Sequence, residues 1–307
     1  MRLLLVDGHY YLYRSFYAIR GLRNSRGEPT NAIYGFIKAI RKMLADLKPD
    51  RAAVIWDCGL PARRVELQPD YKQNRTAMPD DLRPQEEWLQ KNIPLLGIGS
   101  VELQDTEADD LIATYAAAAR RDGADVVIAT NDKDILQIVG PQLHIYSTLK
   151  TDIKEGGFAL LGPEEVRGKW GVDAQHIADV LTLTGDASDN IPGVPGIGDK
   201  TAVSLINTYG AIQGILENPT IVENVRQREK LLAHRDLIIA NREMVRLDDD
   251  LAMPVPWQSF EITPKPVELL TLLRDCEFRT LIKEIEAEFK IPAAENPPAP
   301  TSQGELF

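Results

Sequence analysis

The sequence predicts an α/β fold, in which helices flank a mostly parallel central sheet, followed by a mainly helical second half. Short apolar runs alternate with helical patterns of about 10 to 15 residues in the first half, which is typical of a parallel sheet. From about residue 161 the apolar residues recur at helical spacing, interrupted by a Gly/Pro-rich segment at 185–198. The length of 307 residues allows one large core or two modest domains.

The first half contains four apolar runs, which are predicted to be strands, and two helical patterns. The strands are expected at Arg2–Val6, Ala52–Trp56, Asp125–Ala129 and His144–Ser147, and the helices at Tyr34–Leu47 and Asp109–Arg121. The second helix is rich in alanine, with Thr106 as its predicted N-cap and Gly123 as its end.

A polar, basic segment at residues 60–91 separates the second predicted strand from the Ala-rich helix. Four prolines divide this segment, so any helices within it should be short. Tyr71 and Trp88 lie among its cationic residues, which are Arg63, Arg64, Lys72, Arg75, Arg83 and Lys91.

The second half is expected to be helical up to an acidic, Pro-rich connector at 247–266, and helical again at 267–289. From residue 292 proline and alanine dominate, which predicts a disordered tail. These boundaries give an α/β unit at 1–160, a helical unit at 161–291 and a tail at 292–307.

Composition excludes several classes of protein. No apolar run approaches the roughly 18 residues of a membrane-spanning helix, and Asp7 comes too early for a signal peptide. Two cysteines make neither a zinc site nor a disulfide framework, which predicts a reducing, cytoplasmic location. The net charge of -11 argues at first against a nucleic-acid partner, but the acids are concentrated in a few motifs while basic residues collect elsewhere.

Acidic residues follow three of the predicted strands. Asp7 ends the first run, Asp57 ends the second, and Asp132 and Asp134 follow the third. Ligands of an open parallel sheet bind beyond the carboxyl ends of its strands. We therefore expect these carboxylates to face one crevice.

Five further acids complete a set of nine, namely Glu107, Asp109, Asp110, Asp186 and Asp189. A single acid at a helix start or after a strand is equally well explained as a capping or turn residue. Nine carboxylates together, however, would repel one another or take up protons unless cations were present. All-oxygen sites favour Mg²⁺, Mn²⁺ or Ca²⁺, and a pair of such ions can drive an in-line phosphoryl displacement.

The chain resembles the 5′-nuclease domain at the N-terminus of bacterial DNA polymerase I, which belongs to the flap endonuclease superfamily and has a PIN-like fold. The resemblance covers about residues 1–290 in six blocks that occur in family order. The blocks are Leu5–Gly8 with Tyr13–Arg14, Asp57 with Arg64, Tyr71–Lys72 and Arg75, Met78–Arg83, Glu107–Asp110, Asn131–Asp134, and Gly185–Ala202.

The resemblance implies two groups of metal ligands and a requirement for two or more Mg²⁺ ions, which Mn²⁺ would replace. The first group would be Asp7, Asp57, Glu107 and Asp109, with Asp110. The second would be Asp132, Asp134, Asp186 and Asp189, acting partly through water, which suits the reluctance of Mg²⁺ to dehydrate.

The resemblance also implies that residues 60–91 form a helical arch through which a single-stranded 5′ flap passes. Lys72 and Arg75 would steer and polarise the phosphate, and Arg14 would lie near the floor of the site. Arg64 and Tyr71 are expected to contact DNA.

Three aromatic residues follow the first predicted strand and precede the basic segment at 60–91. Tyr10, Tyr13 or Phe16 could stack on a terminal base, and packing in the core explains them equally well.

Residues 185–210 resemble the helix-hairpin-helix element of this family. Its glycines would let the backbone approach a duplex phosphate, which the N–H groups opening the next helix would bind. The implied DNA contacts are Gly193, Gly196, Gly198, Lys200 and Thr201, and main-chain carbonyls would hold a K⁺ ion. Basic residues at 226–235 could follow the same duplex, though a solvated helix face explains them as well.

The function implied is that of a structure-specific 5′-3′ nuclease, acting on DNA with a 5′ flap or nick, or on RNA-DNA hybrids, in replication and repair. Two alternatives remain open at this point. A PIN-like ribonuclease would share the acids but gives no reason for the basic arch or the hairpin. A DNA-structure binding protein without turnover would keep the arch but gives no reason for an intact acid set.

The tail ends in a sequence that resembles the short peptide docking on the bacterial sliding clamp. Gln303, Leu306 and Phe307 would make the contacts, since two apolar residues in a disordered tail serve no folding purpose. In the relatives this domain is followed by polymerase sequence, whereas the present chain stops at Phe307. We therefore expect a free-standing nuclease.

Overall fold

A six-stranded sheet forms the centre of the fold in this computed structural model, which describes residues 1–153 and 157–292. The strand order is β3-β2-β1-β4-β5-β6, and only the last pair is antiparallel, so the prediction of a mostly parallel sheet is confirmed. The strands are β1 Arg2–Asp7, β2 Arg51–Trp56, β3 Gly99–Glu102, β4 Asp125–Ala129, β5 Leu143–Ser147 and β6 Ala159–Leu161.

Two of these strands are absent from the sequence prediction. Both β3 and β6 lie at the edges of the sheet, and they contain only four and three residues. Runs this short carry no measurable periodicity, so pairing with a neighbouring strand decides their conformation. The four predicted strands are all present.

Helices cover both faces of the sheet. Leu3 and Leu5 of β1 face a cluster that includes α5 and the helices of the second half, whereas Leu4 and Val6 face a cluster that includes α1 and α2. The helices are α1 Gly8–Ala18, α2 Asn31–Leu47, α3 Ala62–Leu67, α4 Arg83–Asn92, α5 Ala108–Arg121, α6 Pro163–Trp170, α7 Ile177–Thr184, α8 Asp199–Tyr209, α9 Ile212–Glu217, α10 Val225–Ala233, α11 Arg235–Val245, α12 Pro266–Asp275 and α13 Arg279–Phe289.

The last two helices pack on the α/β core, on the face that carries Leu4 and Val6. Their buried residues include Leu273 and Leu281. The connector before them contains only a short 3-10 turn, and the Phe260 carbonyl accepts the N–H of Ala52 at 3.0 Å. The division of the chain at residues 160 and 291 remains a prediction, and this packing shows that α12 and α13 return to the first half.

The start of the Ala-rich helix differs from its prediction. Glu107 occupies the N-cap position of α5, and the Thr106 hydroxyl instead donates to the Gln104 carbonyl at 3.1 Å. Gly123 lies just past the end of α5 with a φ of 81°, which suits a glycine. Within the described ranges, no helix combines the length and apolar character that a bilayer crossing requires.

Candidate metal centre and nucleic-acid interface

The parallel register brings the acidic strand ends to one edge of the sheet. Asp7 pairs with Ile55 across β1 and β2, and Val6 pairs with Ala129 across β1 and β4. Asp57 and Asp132 therefore follow the two strands that flank β1. The prediction that these carboxylates face one crevice agrees with this geometry.

The backbone holds two of these carboxylates in fixed orientations. Asp7 accepts the N–H of Tyr10 at 2.9 Å as the N-cap of α1, and the Thr130 hydroxyl at 2.8 Å. Asp57 accepts the N–H of Ala108, in the first turn of α5, at 2.7 Å. Helix starts are electropositive, so the Tyr10 N–H in α1 offsets part of the effect of burial on the pKa of Asp7.

Asp109 lies beside these two acids and lacks a partner. Its buried Oδ1 has no hydrogen-bond partner within 1–153 and 157–292. Burial, and then the charges of Asp132 and Asp7, raise the pKa of Asp109 well above its usual value. Burial and the Asp57 charge likewise raise the pKa of Asp7 to about 6. The group is therefore short of positive charge, as expected of carboxylates that ligate cations.

A second group of acids comes from the loop after β4 and from the turn after α7. Carboxylate oxygens of Asp134, Asp186 and Asp189 all lie within 4.8 Å of one another. Asp134 Oδ1 is buried without a partner in the described part of the chain. Burial and the charges of Asp132 and Asp186 raise the pKa of Asp134 to about 8.

Asp132 connects the two groups electrostatically. Its charge raises the pKa of Asp109 in the first group and of Asp134 in the second. Burial raises the pKa of Asp132 itself, although the N–H of Asp134 donates to its Oδ1 at 2.8 Å. The structure thus places seven of the nine predicted acids, all except Glu107 and Asp110, in a continuous set that cations are needed to neutralise.

The carboxylate of Asp110 is not part of this set. Its two carboxylate oxygens accept the guanidinium of Arg64 at 2.6 and 2.8 Å, and Oδ1 also accepts the N–H of Asp248 at 3.0 Å. Both of its carboxylate oxygens are therefore engaged by protein donors. This geometry argues against the predicted role of Asp110 as a metal ligand.

Arg64 and Tyr71, which were predicted to contact DNA, are both buried and bonded within the protein. Arg64 donates to Asp110, to Glu107 and to the main-chain carbonyls of Met244 and Arg246 at 3.0 Å. The Tyr71 hydroxyl contacts the Glu107 carboxylate at 3.2 Å. Both side chains fix Glu107 from within the protein.

Two cations of the basic segment lie over the acids. The Lys72 ammonium contacts Glu107 and lies 3.5 Å from Asp189, and the Arg75 guanidinium lies 2.7 Å from Asp189. Lys72 has a φ of 58°, and its N–H donates to the Asp189 carbonyl at 3.1 Å. The backbone around Lys72 is thereby tied to the loop that carries the second group.

A cleft of about 640 Å³ opens above the first group and contains both cations. Arg14 lines it and donates to the Thr148 hydroxyl at 2.7 Å. Tyr10 and Tyr13 line it too, whereas Phe16 does not and packs partly buried against the α1–α2 core. Tyr13 stacks on the exposed Tyr17, with ring centroids 6.4 Å apart, which adds an aromatic surface that the sequence interpretation missed.

The Gly/Pro-rich segment connects α7 to α8 as a tight hairpin. A Cβ on Gly193 would lie 2.2 Å from the Thr184 carbonyl oxygen, so this glycine is required for packing inside the hairpin. A Cβ on Gly198 would meet nothing within 4 Å, and Gly198 and Lys200 are exposed at the start of α8. Of the predicted DNA contacts, Gly196, Gly198 and Lys200 are therefore exposed, whereas Gly193 and Thr201 are half-buried.

Gly196 lies in the same hairpin and already has a cationic partner. Its φ is 76°, and its carbonyl accepts the Lys230 ammonium at 2.9 Å. Of the other basic residues at 226–235, Arg226 is exposed, and Arg235 donates to the Leu216 carbonyl at 2.5 Å.

Three residues near the acids were missed by the sequence interpretation. Lys133 lies 2.8 Å from Asp186, and its position between Asp132 and Asp134 is the signal that could have identified it. His9 contacts both Asp57 and Glu86. Glu86 follows 77 residues later, so no local pattern joins the two.

Comparisons with known proteins identify the family. The model of the 5′-3′ exonuclease N-terminal resolvase-like domain matches residues 2–171, and that of the 5′-3′ exonuclease C-terminal SAM fold matches residues 172–268. The chain belongs to the 5′-3′ exonuclease family. As a member of this family it is a nuclease, and its acidic cluster is compatible with metal-dependent catalysis.

Curated relatives of this 5′-3′ exonuclease chain are longer proteins. It is 36% identical over 292 residues to DNA polymerase I of Rhizobium leguminosarum, covering 92% of this chain and 28% of the relative. It is 35% identical over 303 residues to the thermostable DNA polymerase I of Thermus aquaticus, covering 99% of this chain and 35% of the relative. The chain thus spans about a third of the length of these relatives.

Solved structures show the same fold in other nucleases. The phage T5 5′-exonuclease with bound zinc has a TM-score of 0.66 at 21% identity, covering 81% of this chain and 90% of that one. A phage T5 flap endonuclease pseudo-enzyme-product complex with DNA and metal ions has a TM-score of 0.65 at 18% identity, covering 94% and 98%. The catalytic core of Rad2 with DNA substrate has a TM-score of 0.58 at 17% identity, covering 91% and 90%.

Proposed function

We propose that this 5′-3′ exonuclease is structure-specific and hydrolyses phosphodiesters at 5′ flaps and nicks in DNA, including RNA primer segments, with two Mg²⁺ ions. One observation carries the proposal. Seven carboxylates that lack sufficient positive charge lie together, and four of them, Asp7, Asp57, Asp109 and Asp132, line an open cleft with Lys72 and Arg75.

The residues present fit two hard divalent ions. Asp7, Asp57 and Asp109, with Glu107 nearby, would hold the first, and Asp134, Asp186 and Asp189 would hold the second, with Asp132 between them. The buried oxygens of Asp109 and Asp134, which have no partner among the residues that the structure describes, support this assignment, because an unpaired buried carboxylate is costly. Bound there, the ions supply an activated water and stabilise the leaving oxygen, and Mn²⁺ would substitute for Mg²⁺.

The cations of the arch would bind the substrate phosphate. Lys72 and Arg75 are ion-paired to Glu107 and Asp189 in this structure, and they would exchange these partners for phosphate oxygens. Arg14 at the rim of the cleft would direct the 5′ strand, and Tyr10 and Tyr13 would stack on its terminal base.

The duplex portion of the substrate would bind at the hairpin. Gly198, Lys200 and Thr201 lie at the start of α8, where the N-cap Gly198 makes no side-chain cap and the helix dipole favours a phosphate. The Lys230 ammonium on the Gly196 carbonyl shows that this loop can accept positive charge, which supports a K⁺ ion held by neighbouring carbonyls.

Two further parts of the proposal concern location and partner. The two cysteines form no disulfide with each other, in keeping with a reducing, cytoplasmic location. The predicted clamp-binding residues Gln303, Leu306 and Phe307 lie outside the described residues. If they bind the sliding clamp, deleting residues 303–307 abolishes clamp affinity, and unchanged affinity would contradict this part of the proposal.

A panel of labelled substrates tests the function. Duplexes with a 5′ flap, a nick or a blunt end would be incubated with Mg²⁺, each with a DNA or an RNA 5′ segment. We expect cleavage at the junction for the flap and nick and little for the blunt end. Binding without cleavage would identify a DNA-structure binding protein, and cleavage of single-stranded RNA alone would identify a ribonuclease.

A further inference from the structure

A contact between His9 and Glu86 joins the first turn of α1 to α4, at the base of the arch. His9 Nε2 lies 2.7 Å from Glu86 Oε1, and both side chains are more than four-fifths buried. The residues are separated by 77 positions in the chain, so tertiary structure alone creates this pair. A hydrogen bond this short between a ring N–H and a carboxylate is of the strong, charge-assisted kind.

The other nitrogen of the same ring contacts Asp57. His9 Nδ1 lies 3.2 Å from the backbone nitrogen of Asp57 and 3.2 Å from its Oδ2. A neutral ring accepts the Asp57 N–H, and a protonated ring donates to Oδ2, so the ring contacts Asp57 in either state. The edge of the His9 ring also packs against Trp56, with ring centroids 5.7 Å apart.

The helix that carries Glu86 is anchored in the fold. The neighbouring Gln85 is buried, accepts the N–H of Ala32 at 2.8 Å, and donates to Asn31 Oδ1 at 3.0 Å. These bonds tie α4 to the start of α2. Glu86 therefore has a defined position from which to hold the imidazole.

We propose that His9 is a positioning residue for Asp57 and that Glu86 holds His9 in place, so that α4 of the arch contributes to the metal affinity of the site. The inference rests on the proposed function in one respect, that Asp57 binds metal. A histidine whose far nitrogen is held by a carboxylate is a common way to fix the orientation of groups around a metal. Here the ring would orient a ligating carboxylate and would not itself bind the ion.

The chain offers a matched control for Glu86. Glu87 is its neighbour on the same helix, but it is exposed. A substitution at Glu87 changes net charge and helix composition in the same way as one at Glu86, while the contact to His9 remains. Glu86→Gln keeps an oxygen that accepts the Nε2–H, so this variant separates loss of the contact from loss of the charge.

The experiment measures Mn²⁺ affinity by calorimetry on the DNA-free protein, for Glu86→Ala, Glu86→Gln, Glu87→Ala and His9→Asn. The asparagine oxygen replaces Nδ1 as acceptor for the Asp57 N–H but cannot reach Glu86. We expect Glu86→Ala and His9→Asn each to weaken Mn²⁺ binding about 10-fold. The Mn²⁺ affinity of Glu86→Gln should stay within about threefold of that of the unsubstituted protein, and the affinity of Glu87→Ala within about twofold.

The double variant His9→Asn/Glu86→Ala should bind Mn²⁺ no more weakly than either single variant, because both changes break one contact. The KM of these variants for a 5′-flap substrate, measured at saturating metal, should be unchanged. A purely structural contact would instead lower the melting temperature and leave Mn²⁺ affinity of the folded protein unaltered, which would overturn the inference. If the unsubstituted protein bound no Mn²⁺, the metal site itself would fail, and that result is distinct from equal binding by all variants.

Discussion

The guanidinium of Arg64 and the carboxylate of Asp110 form a two-point ion pair that is almost completely buried, with N–O distances of 2.6 and 2.8 Å. The same guanidinium contacts Glu107 and the carbonyls of Met244 and Arg246. One side chain therefore joins α3 of the arch, the start of α5 and the end of α11. This contact links the helical second half to Glu107, the N-cap residue of α5.

Replacing Arg64 with methionine should strongly destabilise the protein, because Asp110 would be left buried without a counter-charge. We expect the free energy of unfolding to fall by about 3–5 kcal/mol, measured by urea denaturation. Arg63→Met is the control, since Arg63 is more exposed in its ion pairs with Glu243 and Asp248 and should cost about 1 kcal/mol or less. Equal losses from the two variants would contradict the buried-pair account.

Replacing two glycines of the hairpin with alanine should have different effects, on stability in one case and on DNA affinity in the other. Gly193→Ala should lower the melting temperature, because its Cβ would lie 2.2 Å from the Thr184 carbonyl oxygen. Gly198→Ala has open space around its Cβ and should leave stability unchanged, while it obstructs a phosphate at the start of α8. Duplex affinity, measured by fluorescence anisotropy, should fall about 10-fold, or about 1.4 kcal/mol, for Gly198→Ala. Unchanged affinity would place the duplex elsewhere.

The residues in and around the acidic site differ in how far the sequence predicts their positions. Asp7 and Asp57 were predictable, because each directly follows an apolar run and parallel strands end at one edge of a sheet. Asp110 looks identical in the sequence to its neighbour Asp109, yet successive helical residues point in different directions, and only the packing of α5 decides which one meets Arg64. The burial of Arg64 itself depends on carbonyls 180 residues away.

The strand assignments also depend in part on tertiary contacts that the sequence does not reveal. The predicted strand at Asp125–Ala129 agrees with β4 because four consecutive apolar residues, Val126–Ala129, identify it. The Gly99–Glu102 segment becomes β3 only because β2 offers it an edge.

Lys72 should act on the substrate phosphate and contribute little to duplex binding. Lys72→Met is expected to reduce the single-turnover cleavage rate about 100- to 1,000-fold, the usual effect of removing one donor that stabilises developing charge. Lys91→Met removes an exposed lysine from α4 and should leave the rate within about twofold on that scale. The idea fails if the two variants cleave at similar rates.

Asp134 should destabilise the metal-free protein, because its Oδ1 is buried without a partner in the described ranges and lies close to Asp186 and Asp189. We expect Asp134→Asn to raise the melting temperature in EDTA by about 2–4 °C, which corresponds to about 1 kcal/mol for a chain of this size. The further rise produced by Mn²⁺ should become smaller, because one ligand oxygen is lost. A lower melting temperature in EDTA would show that Asp134 is stabilising without metal.

The most direct test of the metal centre is the single-turnover rate of 5′-flap cleavage by Asp132→Ala in saturating Mg²⁺, with flap affinity measured in parallel in Ca²⁺. Asp132 lies between the two carboxylate groups, so its loss should impair both ions. The account predicts a rate at least about 1,000-fold lower, equivalent to about 4 kcal/mol of barrier, with flap affinity within about twofold of the unsubstituted protein. Cleavage at an unchanged rate would contradict the assignment of these carboxylates as the catalytic metal centre.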